Sequence, residues 1–333
     1  MLNISMMMFI LIMVFGTSLT FSSETWLGMW MGLEMNLIAF IPILHKPNNN
    51  PASESCMIYF LIQSLGSILM LMSILSNSLV MVSPNMTSEL LSTMLMVSLM
   101  IKLGMPPFHF WFPEIMEKMT WFSSFILMTW QKVAPLTIMT HTIPNQTLLP
   151  MIITMSVITG AVGGLNQTSI RKIMAFSSMN HMGWMVACMK FNNEMWINYL
   201  MIYSAIIFTM VITFHMNSSF FINQLTMNSP EFTDKMLITI LFMSLGGLPP
   251  FLGFLPKWIV IQSMILSNSY FILTIMIMSV LITLFYYLRM ISTSLLINNS
   301  ISKWSNNSPS NKIVTLTLIS MNLSLPMIAT FSL

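Results

Sequence analysis

Long apolar runs separated by short polar segments make up almost the whole chain. A run of about 20 apolar residues is long enough for a helix to cross the hydrocarbon core of a bilayer. A transmembrane barrel would instead show segments of about ten residues in which apolar and polar positions alternate. The pattern therefore predicts an all-α, polytopic membrane protein with about 11 transmembrane helices, near residues 3–21, 25–44, 55–76, 88–118, 120–141, 148–165, 173–189, 195–215, 236–266, 270–290 and 313–332.

Two of these runs, 88–118 and 236–266, contain related Gly- and Pro-rich segments that predict broken helices. The segments 104–114 and 247–257 both read G-x-P-P-F-x-x-x-x-P-[EK]. The number of crossings between them is odd, which would invert one copy relative to the other, and inverted repeats with broken helices are typical of transport sites near the bilayer midplane. We predict one antiporter-like domain over 1–333, with repeat one at about 3–141, repeat two at about 148–290 and an extra C-terminal helix at about 313–332.

Composition agrees with a membrane protein and excludes several other classes. Only 6% of the 333 residues are charged, whereas soluble domains carry about 25%. The net charge of +3 is too small to indicate nucleic-acid binding. The chain contains no cysteine cluster for an iron–sulfur centre, no two histidines in one span for haem, and no Gly-rich loop after a strand for a nucleotide. We therefore expect no cofactor and no metal in this chain. The first run lacks a basic n-region and a small-residue cleavage site, so we read it as a retained span.

The distribution of lysine and arginine predicts the orientation. With eleven spans and the N-terminus on one side, that side receives eight basic residues: Lys46, Lys118, Arg171, Lys172, Lys235, Arg289, Lys303 and Lys312. The other side receives Lys190. The positive-inside rule then places the N-terminus in the cytoplasm or in its mitochondrial equivalent, the matrix.

Four charged residues lie inside apolar runs, where a membrane helix should be most hydrophobic: Glu34, Lys102, Lys132 and Lys257. A charge at the bilayer centre costs about 3 kcal/mol or more, so such residues usually face protein interior or a water path. We read them as a route for hydrogen ions. The alternatives are snorkelling or interfacial anchoring for the lysines and a static ion pair for Glu34.

The positions of these residues suggest how each would act. Lys102 ends the first half-helix, where the helix dipole favours a cation while burial disfavours the charge, so a proton can load and leave at modest cost. We expect Glu34 to be the acidic partner of Lys102. Lys132 lies beside Pro135, which leaves the carbonyl of Gln131 without its helical donor and able to bind a water.

The remaining two candidates lie in the second half of the chain. Lys257 follows the second break and is read as a further station of the same path. His181 lies in a polar stretch of an otherwise apolar span, and histidine can relay protons near neutrality. A histidine that simply makes a satisfied hydrogen bond between helices is the equally open alternative.

Five segments resemble the subunit 2 family of NADH dehydrogenase, the mitochondrially encoded antiporter-like subunits of respiratory complex I. The matching segments are WLGMWMGLEMNL (26–37), KLGMPPFHFW (102–111), TWQKVAP (129–135), LNQTSIRKIMAFSSMNHMGW (165–184) and GGLPPFLGFLPKW (246–258). Beyond about residue 290 the similarity is one of hydropathy alone. The 41 methionines are similar to the methionine excess of arthropod mitochondrial proteins.

The resemblance implies two inverted five-helix repeats, each with one broken helix, in the mitochondrial inner membrane, with the N-terminus on the matrix side and the C-terminus on the intermembrane-space side. It implies that Glu34 and Lys102 form the coupling pair, with Lys132 as central relay and Lys257 as the far station. It further implies proton translocation driven by electron transfer in other subunits, which hold NADH, FMN, iron–sulfur clusters and ubiquinone. The implied partners are subunits 3, 4, 4L and 6, nuclear-encoded accessory subunits and the lipid bilayer.

Two other functions remain open from the residues alone. One is a cation/proton antiporter of the same fold that needs no NADH. The other is a scaffold between neighbouring subunits, in which the buried charges are only structural.

Overall fold

The computed structural model describes residues 4–45, 49–79, 84–142, 148–191, 194–228, 232–296 and 312–323. Within these ranges the chain forms fifteen α-helices and one isolated antiparallel bridge, between Ser169 and Phe221. The all-α prediction is confirmed. The helices are α1 (Ile4–Ser22), α2 (Trp26–Leu44), α3 (Asn50–Leu79), α4 (Pro84–Leu103), α5 (Trp111–Lys118), α6 (Trp121–Met128), α7 (Trp130–Thr142), α8 (Leu149–Gly163), α9 (Ile170–Phe191), α10 (Met195–Met216), α11 (Ile222–Asn228), α12 (Phe232–Gly246), α13 (Phe254–Leu266), α14 (Tyr270–Leu296) and α15 (Lys312–Asn322).

Helices lie at each of the predicted spans, and the protein is a multi-pass membrane protein. Five helical stretches in the described ranges are each long and apolar enough to cross a bilayer: Ile4–Ser22, Trp26–Leu44, Asn50–Ser76, Met195–Met216 and Tyr270–Leu295. Shorter apolar helices include Leu149–Gly163 and Phe254–Leu266. The predicted span 313–332 is described as far as residue 323, and its remainder lies outside the described residues.

Both predicted helix breaks are confirmed, and they share one local geometry. Gly104 and Gly247 end their half-helices with positive φ angles of 68° and 77°. One residue later, the N–H of Met105 donates to the carbonyl of Met100 at 3.0 Å, and that of Leu248 donates to Met243 at 3.3 Å. This is the hydrogen bond of a Schellman motif, which requires a left-handed residue that glycine adopts without a steric penalty. The repeated sequence motif therefore stops two helices in the same way.

One predicted span is divided in a way that the apolar pattern did not indicate. The run 120–141 forms α6 and α7, which are separated at Thr129 with φ −116° and ψ −72°. The Thr129 hydroxyl donates to the carbonyl of Phe125 at 2.7 Å, a contact that often bends helices. Gln131 and Lys132 lie directly after this interruption, in the first turn of α7.

The chain divides into two compact units, Met1–Ile152 and Ile153–Leu333. In the first unit, α1 and α2 approach closely through glycines, because a Cβ added to Gly16 would lie 3.0 Å from the carbonyl oxygen of Gly32. Small residues at such a contact are typical of membrane helix packing. In the second unit, Arg289 on α14 donates to the carbonyls of Leu165 and Gln167 at 2.5 and 2.8 Å, which ties α14 to the loop after α8. The single domain and the inverted relation of the repeats stay predictions.

Candidate functional site

All three candidate lysines point into the units that carry them. The exposed fractions of Lys102, Lys132 and Lys257 are 6%, 3% and 6%. A lysine that snorkels to the headgroup region would keep its ammonium group at the surface, so the placement does not fit that alternative. Charges buried this deeply are costly unless protein groups or water surround them.

The structure brings Glu34 and Lys102 together, as their nomination as partners predicted. The Lys102 Nζ lies 3.9 Å from the Glu34 Oε1. Gly66 on α3 leaves room for the lysine stem, since a Cβ there would lie 3.1 Å from the Lys102 Cγ. Glu34 Oε1 is buried and has no hydrogen-bond partner within the described residues. The side chain as a whole is nevertheless 24% exposed, so Glu34 connects the surface of the unit with its buried lysine.

A polar cavity in the first unit is lined by both Lys102 and Lys132. Its volume is about 20 Å³ for the centres of water-sized molecules, and about 10–15 Å³ is enough to hold one water. The cavity therefore has room for a water, and both lysines lie in its wall. Its wall is formed by Leu33, Asn36, Leu37, Tyr59, Gln63, Lys102, Leu103, Trp111, Phe112, Leu127, Gln131, Lys132 and Pro135.

Four neutral polar residues of this wall have side chains that received no role in the sequence analysis: Asn36, Tyr59, Gln63 and Gln131. Gln131 Nε2 donates to Asn36 Oδ1 at 3.1 Å, and the Tyr59 hydroxyl donates to Gln131 Oε1 at 3.3 Å. Gln63 Nε2 donates to the carbonyl of Lys102 at 3.0 Å. The available signal was the presence of amide side chains inside apolar runs, one of them directly before Lys132.

Lys132 lies over an aromatic ring at the edge of the cavity. Its Nζ is 5.4 Å from the centre of the Phe112 ring, within the range of a cation–π interaction. Pro135, one turn further along α7, has no N–H to donate to the carbonyl of Gln131. That carbonyl is therefore left to accept a hydrogen bond from water, and both Gln131 and Lys132 line the cavity.

Lys257 binds the end of the half-helix that precedes its own. Its Nζ donates to the carbonyls of Leu245 and Gly246 at 3.1 and 2.8 Å. These carbonyls close α12, where the helix dipole favours a cation. Leu245 occupies the motif position that Lys102 occupies in the first copy. Lys102 therefore belongs to the last turn of the half-helix before its break, whereas Lys257 lies after its break and reaches back to the last turn of α12.

Two glycines make the Lys257 arrangement possible. A Cβ on Gly247 would lie 2.8 Å from the Lys257 Cδ, so the lysine stem packs directly over this glycine. A Cβ on Gly253 would lie 1.8 Å from the carbonyl oxygen of Ser244. The loop and the end of α12 thus approach more closely than any side chain would permit.

His181 is buried in the second unit, between α9 and α10. Its Nδ1 lies 2.8 Å from the Tyr199 hydroxyl, and its ring centre lies 4.9 Å from that of Tyr203. A hydrogen bond of this kind fits both a relay and a structural histidine, so the relay role stays a prediction.

The two units together place proton-carrying groups in their interiors. The first unit holds a carboxylate, two amines and a cavity with room for water, and the second holds an amine and an imidazole. Within the described residues, no group of three or more His, Cys, Asp or Glu side chains could hold a metal ion.

Comparison with known proteins identifies the family. Residues 23–283 match the family model described as NADH:quinone oxidoreductase/Mrp antiporter, TM. NADH-ubiquinone oxidoreductase chain 2 from Anopheles gambiae is 44% identical over 329 residues, covering 95% of this chain and 94% of the relative. The same protein from Locusta migratoria is 40% identical, covering 98% of this chain and 96% of the relative. This chain belongs to the NADH-ubiquinone oxidoreductase chain 2 family. The resemblance found in the five sequence segments is confirmed.

A solved structure supports the fold that the chain 2 family implies. A chain of respiratory complex I from Thermus thermophilus with bound Aureothin matches with a TM-score of 0.85 and 18% identity. The match covers 98% of this chain and 79% of the other. The antiporter-like membrane fold is therefore confirmed.

Proposed function

We propose that this chain is a proton-translocating membrane-arm subunit of NADH:ubiquinone oxidoreductase. The two relatives described above are named NADH-ubiquinone oxidoreductase chain 2, and this chain matches them over almost their whole length. It takes part in the enzyme by moving protons, while NADH, FMN, the iron–sulfur clusters and ubiquinone are held by other subunits. The observation that carries the proposal is the buried Glu34–Lys102 contact beside a cavity that Lys132 also lines.

The five candidate residues take distinct roles in this proposal. Glu34 and Lys102 form the coupling pair that responds to electron transfer elsewhere in the complex. Lys132 receives the proton from Lys102 through water in the cavity. Lys257 and His181 act in the second unit, with Lys257 as the far station. Lysine suits these roles because a buried amine gains or loses one proton without disturbing its packing.

The proposed location is the mitochondrial inner membrane, with the N-terminus on the matrix side. The distribution of basic residues along the sequence supports this orientation. Two of the eight residues, Lys46 and Lys303, lie outside the described residues. The partners are other membrane-arm subunits, including subunits 3, 4, 4L and 6, together with accessory subunits. Large apolar side chains on the outward faces of the helices (Phe15, Met31, Ile38 and Phe60 among them) are available for such contacts and for lipid.

Proton uptake driven by deamino-NADH in membranes that carry Lys102→Ala tests the proposal. Pumping should be lost while the complex still assembles, because Lys102 is the amine that contacts both Glu34 and the cavity. Lys118→Ala is the matched control. Lys118 binds Glu54 and Glu114 at 2.5 and 3.3 Å, both of them exposed carboxylates, and pumping should persist without it. Unchanged pumping in Lys102→Ala would overturn the proposal.

A cation/proton antiporter that works without NADH is the second candidate. The description of the matching family model names Mrp antiporters beside the quinone oxidoreductases. Measurements of proton movement in membranes that contain the intact complex distinguish the two functions. The first requires that proton movement stops when NADH oxidation is inhibited, whereas an antiporter would continue to exchange cations for protons down an imposed gradient.

A further inference from the structure

The side chain of Gln131 is held at both ends of its amide group. Its Nε2 donates to Asn36 Oδ1 at 3.1 Å, and also approaches the Met13 sulfur at 3.4 Å. Its Oε1 accepts from the Tyr59 hydroxyl at 3.3 Å. These partners belong to α2, α1 and α3, whereas Gln131 belongs to α7. One amide therefore joins four helices of the first unit.

The position of this network connects it with the two lysines. Asn36, Tyr59 and Gln131 line the same cavity as Lys102 and Lys132. Gln131 and Pro135 lie four residues apart on α7, so they share one face of that helix, and this face lines the cavity. A fully satisfied polar network gives a buried site a defined geometry. Apolar side chains of the same size would pack here without burying polar groups, so stability alone does not explain the network.

We propose that Gln131 is a positioning residue for proton transfer between Lys102 and Lys132. This inference rests on the proposed function. Because its amide is bound by Asn36 and Tyr59, the first turn of α7 is anchored, and this turn carries the Lys132 backbone. The main-chain carbonyl of Gln131, which Pro135 leaves without its helical donor, is an acceptor for a water in the cavity.

The transfer step balances with water as the only intermediate. The Lys102 ammonium gives one proton to a water in the cavity, and that water gives one of its other protons to the Lys132 amine. Lys102 ends as a neutral amine, Lys132 ends as an ammonium, and the water is regenerated. Gln131 gains and loses no proton. It keeps the donor, the water and the acceptor within hydrogen-bond reach.

Replacing Gln131 with methionine tests this role. Gln131→Met keeps an unbranched side chain of similar length and removes the hydrogen bonds of the amide with Asn36, Met13 and Tyr59. In the assembled complex we expect NADH:ubiquinone turnover to fall on the order of tenfold, since a misplacement of ~1 Å can cost ~10²-fold. The solvent H/D isotope effect on turnover should rise, because proton transfer becomes rate-limiting. A purely structural role would leave the isotope effect unchanged, and that result would overturn the inference.

Gln167→Met is the matched control, because it makes the same chemical change in the loop after α8. There the Gln167 Nε2 donates to the carbonyl of Gly163 at 3.3 Å, and the residue does not line the cavity. Turnover and the isotope effect should both match those of the unmodified complex. If the two methionine variants behave alike, the inference falls.

Tyr59→Phe gives an independent measurement that does not require Gln131→Met to assemble. It removes the hydroxyl but keeps the ring contacts with Phe40 and Trp111, whose ring centres lie 5.1 and 6.2 Å away. We expect a smaller loss of turnover with a raised isotope effect. Combined with Gln131→Met it should add no further loss, because Tyr59 acts through Gln131. Unchanged turnover in Tyr59→Phe, or fully additive losses, would contradict the inference.

Lys102→Ala separates failure of this inference from failure of the proposed function. If Lys102→Ala stops pumping while Gln131→Met and Tyr59→Phe leave turnover and isotope effect unchanged, the proposed function stands and the role of Gln131 is refuted. If Lys102→Ala leaves pumping unchanged, the proposed function itself is refuted, and the role of Gln131 with it.

Discussion

Glu34→Gln tests how strongly the carboxylate supports the buried charge of Lys102. Glutamine keeps the shape of the side chain and removes only its negative charge. At 3.9 Å and an effective dielectric constant of about 20, the Coulomb attraction between unit charges is about 4 kcal/mol. The Glu34 side chain is 24% exposed, so screening by polar surroundings lowers this value. Even a remaining ~1.4 kcal/mol corresponds to about a tenfold change in rate if the charged pair is required in the rate-limiting step.

The assay is NADH:ubiquinone turnover and proton uptake, normalised to assembled complex on native gels. We expect assembly to persist and turnover to fall by about tenfold or more. Glu54→Gln is the matched control, because Glu54 also pairs with a lysine, Lys118, at the shorter distance of 2.5 Å. Its side chain is 59% exposed, and exposed pairs contribute only about 0–1 kcal/mol. The comparison therefore separates burial from distance.

Two results would refute this reasoning. Equal turnover in Glu34→Gln and Glu54→Gln would mean that burial does not strengthen the Glu34–Lys102 contact. A parallel loss of assembly and turnover in Glu34→Gln would indicate the scaffold role, in which the buried pair only holds helices together.

Three further predictions concern the second unit. Gly253→Ala should prevent stable assembly on native gels, because the added Cβ would lie 1.8 Å from the Ser244 carbonyl oxygen. Gly246→Ala should be tolerated, since the nearest atom to its added Cβ lies at 3.8 Å. Equal assembly of the two variants would contradict this explanation. Lys257→Met removes the ammonium group that donates to two buried carbonyls. Proton uptake should be lost, and the thermal unfolding temperature of the complex should fall, because each charged hydrogen bond contributes about 1.5–3 kcal/mol. An unchanged melting curve would argue against these hydrogen bonds. Tyr199→Phe removes the hydroxyl that lies 2.8 Å from His181 Nδ1. If His181 relays protons, turnover should fall while the amount of assembled complex stays constant. Unaltered turnover would favour a structural role for His181.

The sequence predicted those features that depend on one segment of chain at a time. The spans follow from the length of apolar runs, and both breaks follow from glycine and the two prolines after it. Gly104 and Gly247 have the same positive φ region because glycine adopts it without a steric penalty and so commonly ends a helix. The Glu34–Lys102 pairing was also predictable, since a lone acid inside a span needs an opposite charge and few are available.

Features that depend on which helices are neighbours could not be predicted in this way. The contact of Gln131 with Asn36 and Tyr59 joins three helices, and no periodicity in one helix shows which amide faces which. The division at Thr129 rests on a hydroxyl–carbonyl bond that a threonine in an apolar run makes in some helices and not in others. The short helix α11 lacks the length that marks a span.

The partial exposure of Glu34 has a consequence for the life of the newly made chain. In the separate chain, 24% of this side chain in the middle of α2 is uncovered, and a charge that is left uncovered at membrane depth is unfavourable. We expect an orphan copy to be a short-lived species that membrane proteases recognise and degrade. Only chains in which another subunit covers Glu34 would then persist. Burial of this carboxylate would therefore select for correctly assembled complexes.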